Sequence, residues 1–455
     1  MRDCFRLVCG SLVPAVVMAQ MAPLTIDQAI AQATGNYAAV RVSNEQVNAA
    51  AAAINLARTA FLPKIDGIAQ LNRATRNNVY GMLMPNSVIM PISGPPNPSN
   101  SLTNVWGSAA GFLVSWEPLD FGLRQAQVDV AGAARQRAAA GVERTRFDVA
   151  ASAADAFLTI LAAQRAVEAA QAGVVRARTF HEVVNALVKA ELRPGAEGSR
   201  ARAEMAIAET QRIQAEQSVQ LARAALSQYL GGPPPADLEA GRLLDEPPAA
   251  GATSKADAAH PAVREQDAVI AESEARSKVL DRSYFPKLHL QSGVYARGTG
   301  ANPDFTTGGA AAGLGPNIHN WGVGFSVTMP FLEYAALREK RALEGAQHRV
   351  EEARLAQLRQ DIAARIARAQ AMLEGARRVL ANLPIQLEAA RATDTQATAR
   401  YKAGLGTIAE VAEAQRLLTQ TEIDHALARL QVWRAHLALA AAQGDLSGFL
   451  TLVKR

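Results

Sequence analysis

Asn320-Trp321-Gly322-Val323-Gly324-Phe325-Ser326-Val327-Thr328-Met329 alternates with a period of two. Trp321, Val323, Phe325, Val327 and Met329 fall on one face, and Asn320, Gly322, Gly324, Ser326 and Thr328 on the other. That pattern predicts a strand with one apolar side and one small, polar side. Upstream, beyond a breaker-rich loop at about residues 297–319, a looser alternation follows Pro286, with Leu288, Leu290, Val294 and Ala296 opposing Lys287, His289, Gln291 and Tyr295. The first half of the chain offers two more candidates, near residues 64–73 and 105–116, around a second Gly/Pro/Asn-rich loop at about 77–104. Long polar loops of unequal length fit hairpin tips outside a membrane barrel. A water-soluble hairpin with its apolar side on a core would show the same alternation. However, the flanking helices carry too few large apolar residues to cover such a face, and Trp106, Tyr295 and Trp321 sit where interfacial aromatics would form a girdle.

Each strand pair leads into a helix of unusual length. Residues 121–192 and 333–403 contain little that stops a helix, and a run of roughly 70 residues is about 100 Å long at 1.5 Å per residue. Apolar positions recur at steps of three and four, at Phe147, Ala150, Ala154, Phe157 and Leu161 and again at Leu355, Leu358, Ile362, Ile366, Ala369, Leu373, Ala376 and Leu380. These are coiled-coil seams. Pro384 predicts a kink or break in the second run. Shorter helices are expected over residues 25–60, 199–230, 261–283 and 407–443.

The order of elements occurs twice. Phe61-Leu62-Pro63-Lys64-Ile65 is echoed by Tyr284-Phe285-Pro286-Lys287-Leu288, and Trp116-Glu117-Pro118-Leu119-Asp120-Phe121 by Thr328-Met329-Pro330-Phe331-Leu332-Glu333. Arg193-Pro194-Gly195 is set against Lys402-Ala403-Gly404 as the break between a long helix and the next. Ordered landmarks at nearly constant spacing mark a duplication. The expected divisions are a first repeat at 23–230, a Pro/Gly/Ala-rich linker at 231–259, a second repeat at 260–446 and a C-terminal tail at 447–455.

Of the 455 residues, 5% are aromatic and 20% charged, with a formal net charge of +5, and the basic residues alternate with acidic ones along helical stretches. These are solvated helix faces, so no nucleic-acid partner is expected. Residues 1–19 read as an export signal: a short basic start, an apolar stretch over 7–18, and Val17-Met18-Ala19 before Gln20. Both cysteines, Cys4 and Cys9, lie inside it. The mature chain would then lack thiols for catalysis, zinc or disulfides. Whether Cys9 carries a lipid is left open. The seven histidines are scattered, the loop glycines join no strand to a helix, and no nucleophile and base stand out. No enzymatic activity, metal or cofactor is expected.

Four strands cannot close a barrel, since roughly eight is the smallest usual number, and open edges in lipid leave backbone groups unpaired. Several copies must therefore share one barrel. The duplicated plan, the Pro-Lys entries into strands, the Trp-Glu-Pro-Leu-Asp-Phe-Gly turn, His260-Pro261-Ala262-Val263 and above all Ala399-Arg400-Tyr401-Lys402-Ala403-Gly404-Leu405-Gly406-Thr407-Ile408-Ala409-Glu410-Val411 resemble the TolC-like outer membrane factors. The resemblance implies a mainly α fold with a small β contribution. Three copies would build a twelve-stranded barrel in the outer membrane, continued by a periplasmic tunnel of coiled-coil helices. It implies a homotrimer that docks on a periplasmic adaptor and, through it, an inner-membrane pump of the RND or ABC type. Carried over residue by residue, it places Tyr401, Glu410 and Glu413 at the constriction of the periplasmic tip. Gly195, Gly404, Leu405, Gly406 and Thr407 fall at the adaptor turns, and Trp321, Val323, Phe325, Val327 and Met329 on outer-membrane lipid. The latching basic residue of some family members is replaced near Gly406. A periplasmic coiled-coil scaffold without a pore is the alternative. Drugs, metal ions and secreted proteins are all cargoes compatible with the sequence.

Overall fold

The computed structural model describes residues 23–75, 102–244, 260–304, 306–331 and 333–454. The expected export signal, Cys4 and Cys9, most of the first long loop and the end of the linker lie outside these residues. Two series of elements appear in the same order. The first is α1 (Ile26–Asn36), α2 (Ala38–Thr59), β1 (Lys64–Thr75), β2 (Asn104–Leu119), α3 (Leu123–Lys189) and α4 (Gly195–Leu230). The second is α5 (Pro261–Arg282), β3 (Lys287–Thr299), β4 (Ile318–Thr328), α6 (Tyr334–Lys402) and α7 (Ile408–Gln443), followed by α8 (Ser447–Lys454). The halves match closely: α2 and α5 have 22 residues each, α4 and α7 have 36 each, and α3 and α6 have 67 and 69. α4 and α7 also end alike, on left-handed Gly231 (φ 77°) and Gly444 (φ 78°), the conformation glycine adopts without steric cost.

Three details depart from the expectations from sequence. The helix expected over 25–60 breaks at Tyr37, which is extended (φ −64°, ψ 131°) and turns its ring onto Tyr229 with centroids 5.2 Å apart. Of the kink or break expected at Pro384, the break does not occur, and α6 runs through the proline. It is exposed, while Leu383, Ala390 and Ala397 continue the buried stripe beyond it, so packing on one face offsets the lost backbone hydrogen bond while water reaches the other. The segment expected as a tail is the helix α8, whose Phe449 is buried edge-on to Trp433.

The chain folds as two compact units, and α3 and α6 contribute to both. The first holds α1, α4, α7, α8 and the C-terminal parts of α3 and α6. Its main core gathers Phe157, Leu158 and Ile160 of α3, Leu226 of α4, Trp433 and Leu437 of α7 and Phe449 of α8. Leu243, from a short 3-10 turn (Gly241–Leu244) in the linker, is fully buried there as well. One 18-residue window of α3 is apolar enough to cross a membrane, but half of it is buried inside the protomer. The second unit holds most of α2, the four strands, α5 and the N-terminal parts of α3 and α6. Its strands form one antiparallel sheet in the order β1-β2-β3-β4.

Candidate functional site

The register of the sheet assigns each side chain to a face, because residues paired across antiparallel strands point the same way. Trp321 pairs with Val294, Phe325 with Leu290 and Val327 with Leu288; Val294 in turn pairs with Phe112, and Ile65 with Val114. One face is therefore apolar from β1 to β4. The other carries Asp66, Gln70, Gln291, Asn320, Ser326 and small glycines. The apolar face is bare: Trp321 is 79% exposed, Phe325 71%, Val327 67% and Phe112 66%, with Val323 and Met329, just past the end of β4, about half exposed. Tyr295 lies on the polar face, one residue out of step with Val294, whereas Trp106 and Trp321 share the apolar one. The expected three-aromatic girdle is thus reduced to its two tryptophans. At both edges of the sheet, β1 and β4 pair on one side only within the protomer.

The turns joining α3 to α4 and α6 to α7 lie in the first unit. Both close with the same pair of backbone bonds. In one, the N–H of Leu405 reaches the Arg400 carbonyl (2.9 Å) and that of Gly404 the Tyr401 carbonyl (3.0 Å); in the other, the N–H of Leu192 reaches Leu187 (2.9 Å) and that of Glu191 reaches Val188 (3.0 Å). Gly404 and Glu191 are the left-handed residues, at φ 79° and 59°. The structural partner of Leu405 is therefore Leu192, and Thr407, the N-cap of α7, matches Pro194, the N-cap of α4. This corrects the landmark alignment, in which Gly195 stood against Gly404. Gly195 is the first residue of α4 and matches Ile408, and the exposed residue of the first turn is Leu192 (69%), alongside Leu405 (74%).

Tyr401 is fully buried in the protomer and offers no surface to a pore in this conformation. Its hydroxyl donates to Glu197 Oε2 at 2.6 Å, Phe180 meets its ring edge-on at 5.4 Å, and the Arg193 guanidinium lies over the ring at 4.6 Å while donating to the Tyr401 carbonyl at 3.0 Å. Burial, followed by the Glu197 hydrogen bond, pushes the phenol up to about 12. Tyr401, Glu197 and Arg193 thus form a clasp between the two helical hairpins. Arg193 occupies the position that matches Gly406. Sequence reading did not find this clasp, because Tyr401 stands 204 residues from Glu197 and 208 from Arg193. A tyrosine in one turn and an acid three residues into the helix of the other was the signal available.

Glu410 and Glu413 are exposed, one turn apart at the start of α7. Glu410 Oε1 accepts from the Thr407 hydroxyl at 3.3 Å and Oε2 lies 4.0 Å from Arg400; Glu413 lies 3.6 Å from Arg416, which also reaches Glu204 at 3.4 Å. Gly406 is tight, since an added Cβ would come within 3.2 Å of Arg400 Cβ and of the Tyr401 nitrogen, whereas Gly195 and Gly404 have open space around them.

The profile of the outer membrane efflux protein family matches residues 29–232 and 252–445. The chain belongs to that family. Among solved structures, the outer-membrane channel OprN is 20% identical with a TM-score of 0.70, aligned over 92% of this chain and 90% of that one. The outer membrane protein VceC of Vibrio cholerae is 15% identical over 92% and 96% of the two chains with a TM-score of 0.69. The open state of the Neisseria gonorrhoeae MtrE outer membrane channel is 18% identical over 92% and 89%, also at 0.69. A comparison with curated protein sequences finds no match. The fold is that of the TolC-like channels, mainly helical with a small antiparallel sheet, and the outer membrane efflux protein family places the chain in the outer membrane. Family and fold are those of channels and not of enzymes.

Proposed function

We propose that three copies of this outer membrane efflux protein join their sheets edge to edge into one twelve-stranded barrel, which conducts cargo passively out of a periplasmic helical tunnel. The observation that carries this reading is the four-stranded sheet, with one bare apolar face and an unpaired strand at each edge. In lipid each unpaired backbone group costs several kcal/mol, so a stable sheet must find partners for β1 and β4. A soluble scaffold would have to leave Trp321, Phe325 and Val327 in water.

Energy for transport would come from an inner-membrane pump reached through a periplasmic adaptor, with the exposed Leu192 and Leu405 turns, bordered by Gly195, Gly404, Gly406 and Thr407, as the docking points. Glu410 and Glu413 would line the constriction, and the clasp of Tyr401 on Glu197 would hold the hairpins closed around it. The test is to express the chain in a Gram-negative host and to run outer-membrane extracts unheated beside boiled samples. A heat-sensitive trimer confined to the outer membrane supports the reading, and a soluble periplasmic monomer overturns it. In planar bilayers, replacing Glu410 and Glu413 by alanine should raise single-channel conductance and weaken cation preference; unchanged currents would remove them from the constriction.

A further inference from the structure

We propose that a cavity of about 490 Å³ between α3, α5 and α6 in the second unit is a binding site for a protonated phosphate group. α5 runs between the two long helices. Arg144 to Glu265 (2.8 Å) and Arg137 to Glu272 (3.0 Å) fasten it to α3, and Gln266 to Glu351 (2.9 Å) and Arg341 to Asp281 (3.1 Å) fasten it to α6. Three guanidiniums, of Arg137, Arg276 and Arg354, stand around the opening, and two carboxylates, of Glu272 and Glu351, answer them. Each guanidinium carries five N–H donors, so most of the donor capacity is unused and the group keeps one surplus positive charge.

Two buried atoms define what the occupant must offer. Ser273 is only 4% exposed, and its hydroxyl, at the wall of the cavity, has no hydrogen-bond partner within the protein. It can donate, so it calls for an acceptor. Glu272 is similarly buried, and its Oε2, although 3.0 Å from Arg137, has no hydrogen bond of proper geometry. It can only accept, so it calls for a donor. An apolar guest would meet neither need, and a cation would face three guanidiniums. A sulfate would satisfy Ser273 and the arginines but bring no proton for Glu272. Hydrogen phosphate, or a phosphate monoester held in its monoanionic form, presents anionic oxygens to the guanidiniums and to Ser273, and its own O–H to Glu272. Free phosphate and the phosphomonoester of a lipid headgroup share this chemistry.

The test uses full-length protein extracted from outer membranes, titrated with inorganic phosphate at constant ionic strength in chloride and followed by phosphorus-31 relaxation. Saturable binding is expected, with sulfate competing about tenfold more weakly for want of the Glu272 hydrogen bond. Ser273→Ala and Arg354→Gln should each weaken the phosphate about fivefold to tenfold. Arg354 is well exposed, with 62% of its side chain in solvent, so its replacement leaves the fold in place. Mass spectrometry of lipid extracts separates the two sources. A phosphomonoester lipid retained by the wild type and lost from Arg354→Gln assigns the site to a headgroup. Relaxation that never saturates, or that is the same in wild type and both variants, overturns the proposal.

Discussion

The two strand-to-helix corners of the duplicated chain do one job with different means. After β2, Phe121 and Gly122 both adopt left-handed backbone (φ 52° and 90°), and Asp120 closes the corner by accepting from the Gly122 N–H at 3.1 Å and the Arg124 N–H at 2.8 Å. Arg124 returns its Nε to Asp120 at 2.8 Å, donates to the Ala60 carbonyl at 3.0 Å and covers the Phe61 ring. Both side chains of the pair are only 8% exposed. Burial alone would raise the Asp120 carboxyl, but the Arg124 and Gly122 hydrogen bonds hold it below the usual carboxylate range. After β4 the chain reads Met329-Pro330-Phe331-Leu332-Glu333-Tyr334-Ala335-Ala336, with neither the aspartate nor the arginine, and Phe331 is 75% exposed. Both corners carry a proline, Pro118 and Pro330, but only the first adds the buried ion pair. The helix turns differ in the reverse sense: there the second repeat has the favourable glycine, Gly404, and the first forces Glu191 into the left-handed region.

These asymmetries can be broken one at a time. The largest effect is expected from Arg124→Ala, which leaves the buried Asp120 carboxylate without its partner and should cost about 3–5 kcal/mol, seen as lost hydrogen-exchange protection at the start of α3. Lowering the pH of the wild type should weaken the same corner. A depressed carboxyl contributes stability above its unfolded value of about 3.9 and loses it as pH falls through the folded value. An α3 start that stays protected in acid would mean that Asp120 is not the lock.

Tyr401→Phe should come next, at about 1.5–3 kcal/mol for a hydrogen bond to a charged acceptor, read as faster exchange or proteolysis at both helix turns. Here the sign with pH is opposite. The phenol is raised to about 12, so the clasp is intact below its unfolded value of about 10 and lost as pH rises through about 12; Tyr401→Phe should abolish that alkaline step. The smallest effects form a mirror pair. Gly404→Ala should cost about 1 kcal/mol and Glu191→Gly should gain a similar amount, because a side chain is strained at positive φ. Equal shifts of the same sign would mean that the two turns are not equivalent.

Much of the architecture could be read from the sequence because it rests on repeated, local signals. The alternation at Trp321 to Val327 and the three-four spacing of the long helices each extend over several turns or pleats, and packing reinforces them. What could not be read rests on single contacts between distant segments. Gly35-Asn36 is a weak local signal for the break at Tyr37, whose ring is held by Tyr229 far along the chain, and at Pro384 α6 is anchored on one face by Leu383 and its neighbours. At the first helix turn residue type sets Gly195 against Gly404. The backbone matches Glu191, a residue with a side chain at a φ that favours glycine, to Gly404. The clasp of Arg193, Glu197 and Tyr401 joins residues on two hairpins, and only folding brings them together.

α1 and α8, from opposite ends of the described chain, contribute to one core: Ile26 and Ala29 belong to the same buried cluster as Phe449, and Lys454 reaches Asp27 at 3.4 Å. The order of the two repeats along the chain is therefore a matter of where the polypeptide happens to be cut. A circular permutant that joins α8 to α1 through a short polar bridge and opens within the Pro/Gly/Ala-rich segment before His260 would lead with the second repeat and finish with the first, yet ask nothing new of either core. In such a molecule the duplication would be read as a closed loop with two equivalent starting points.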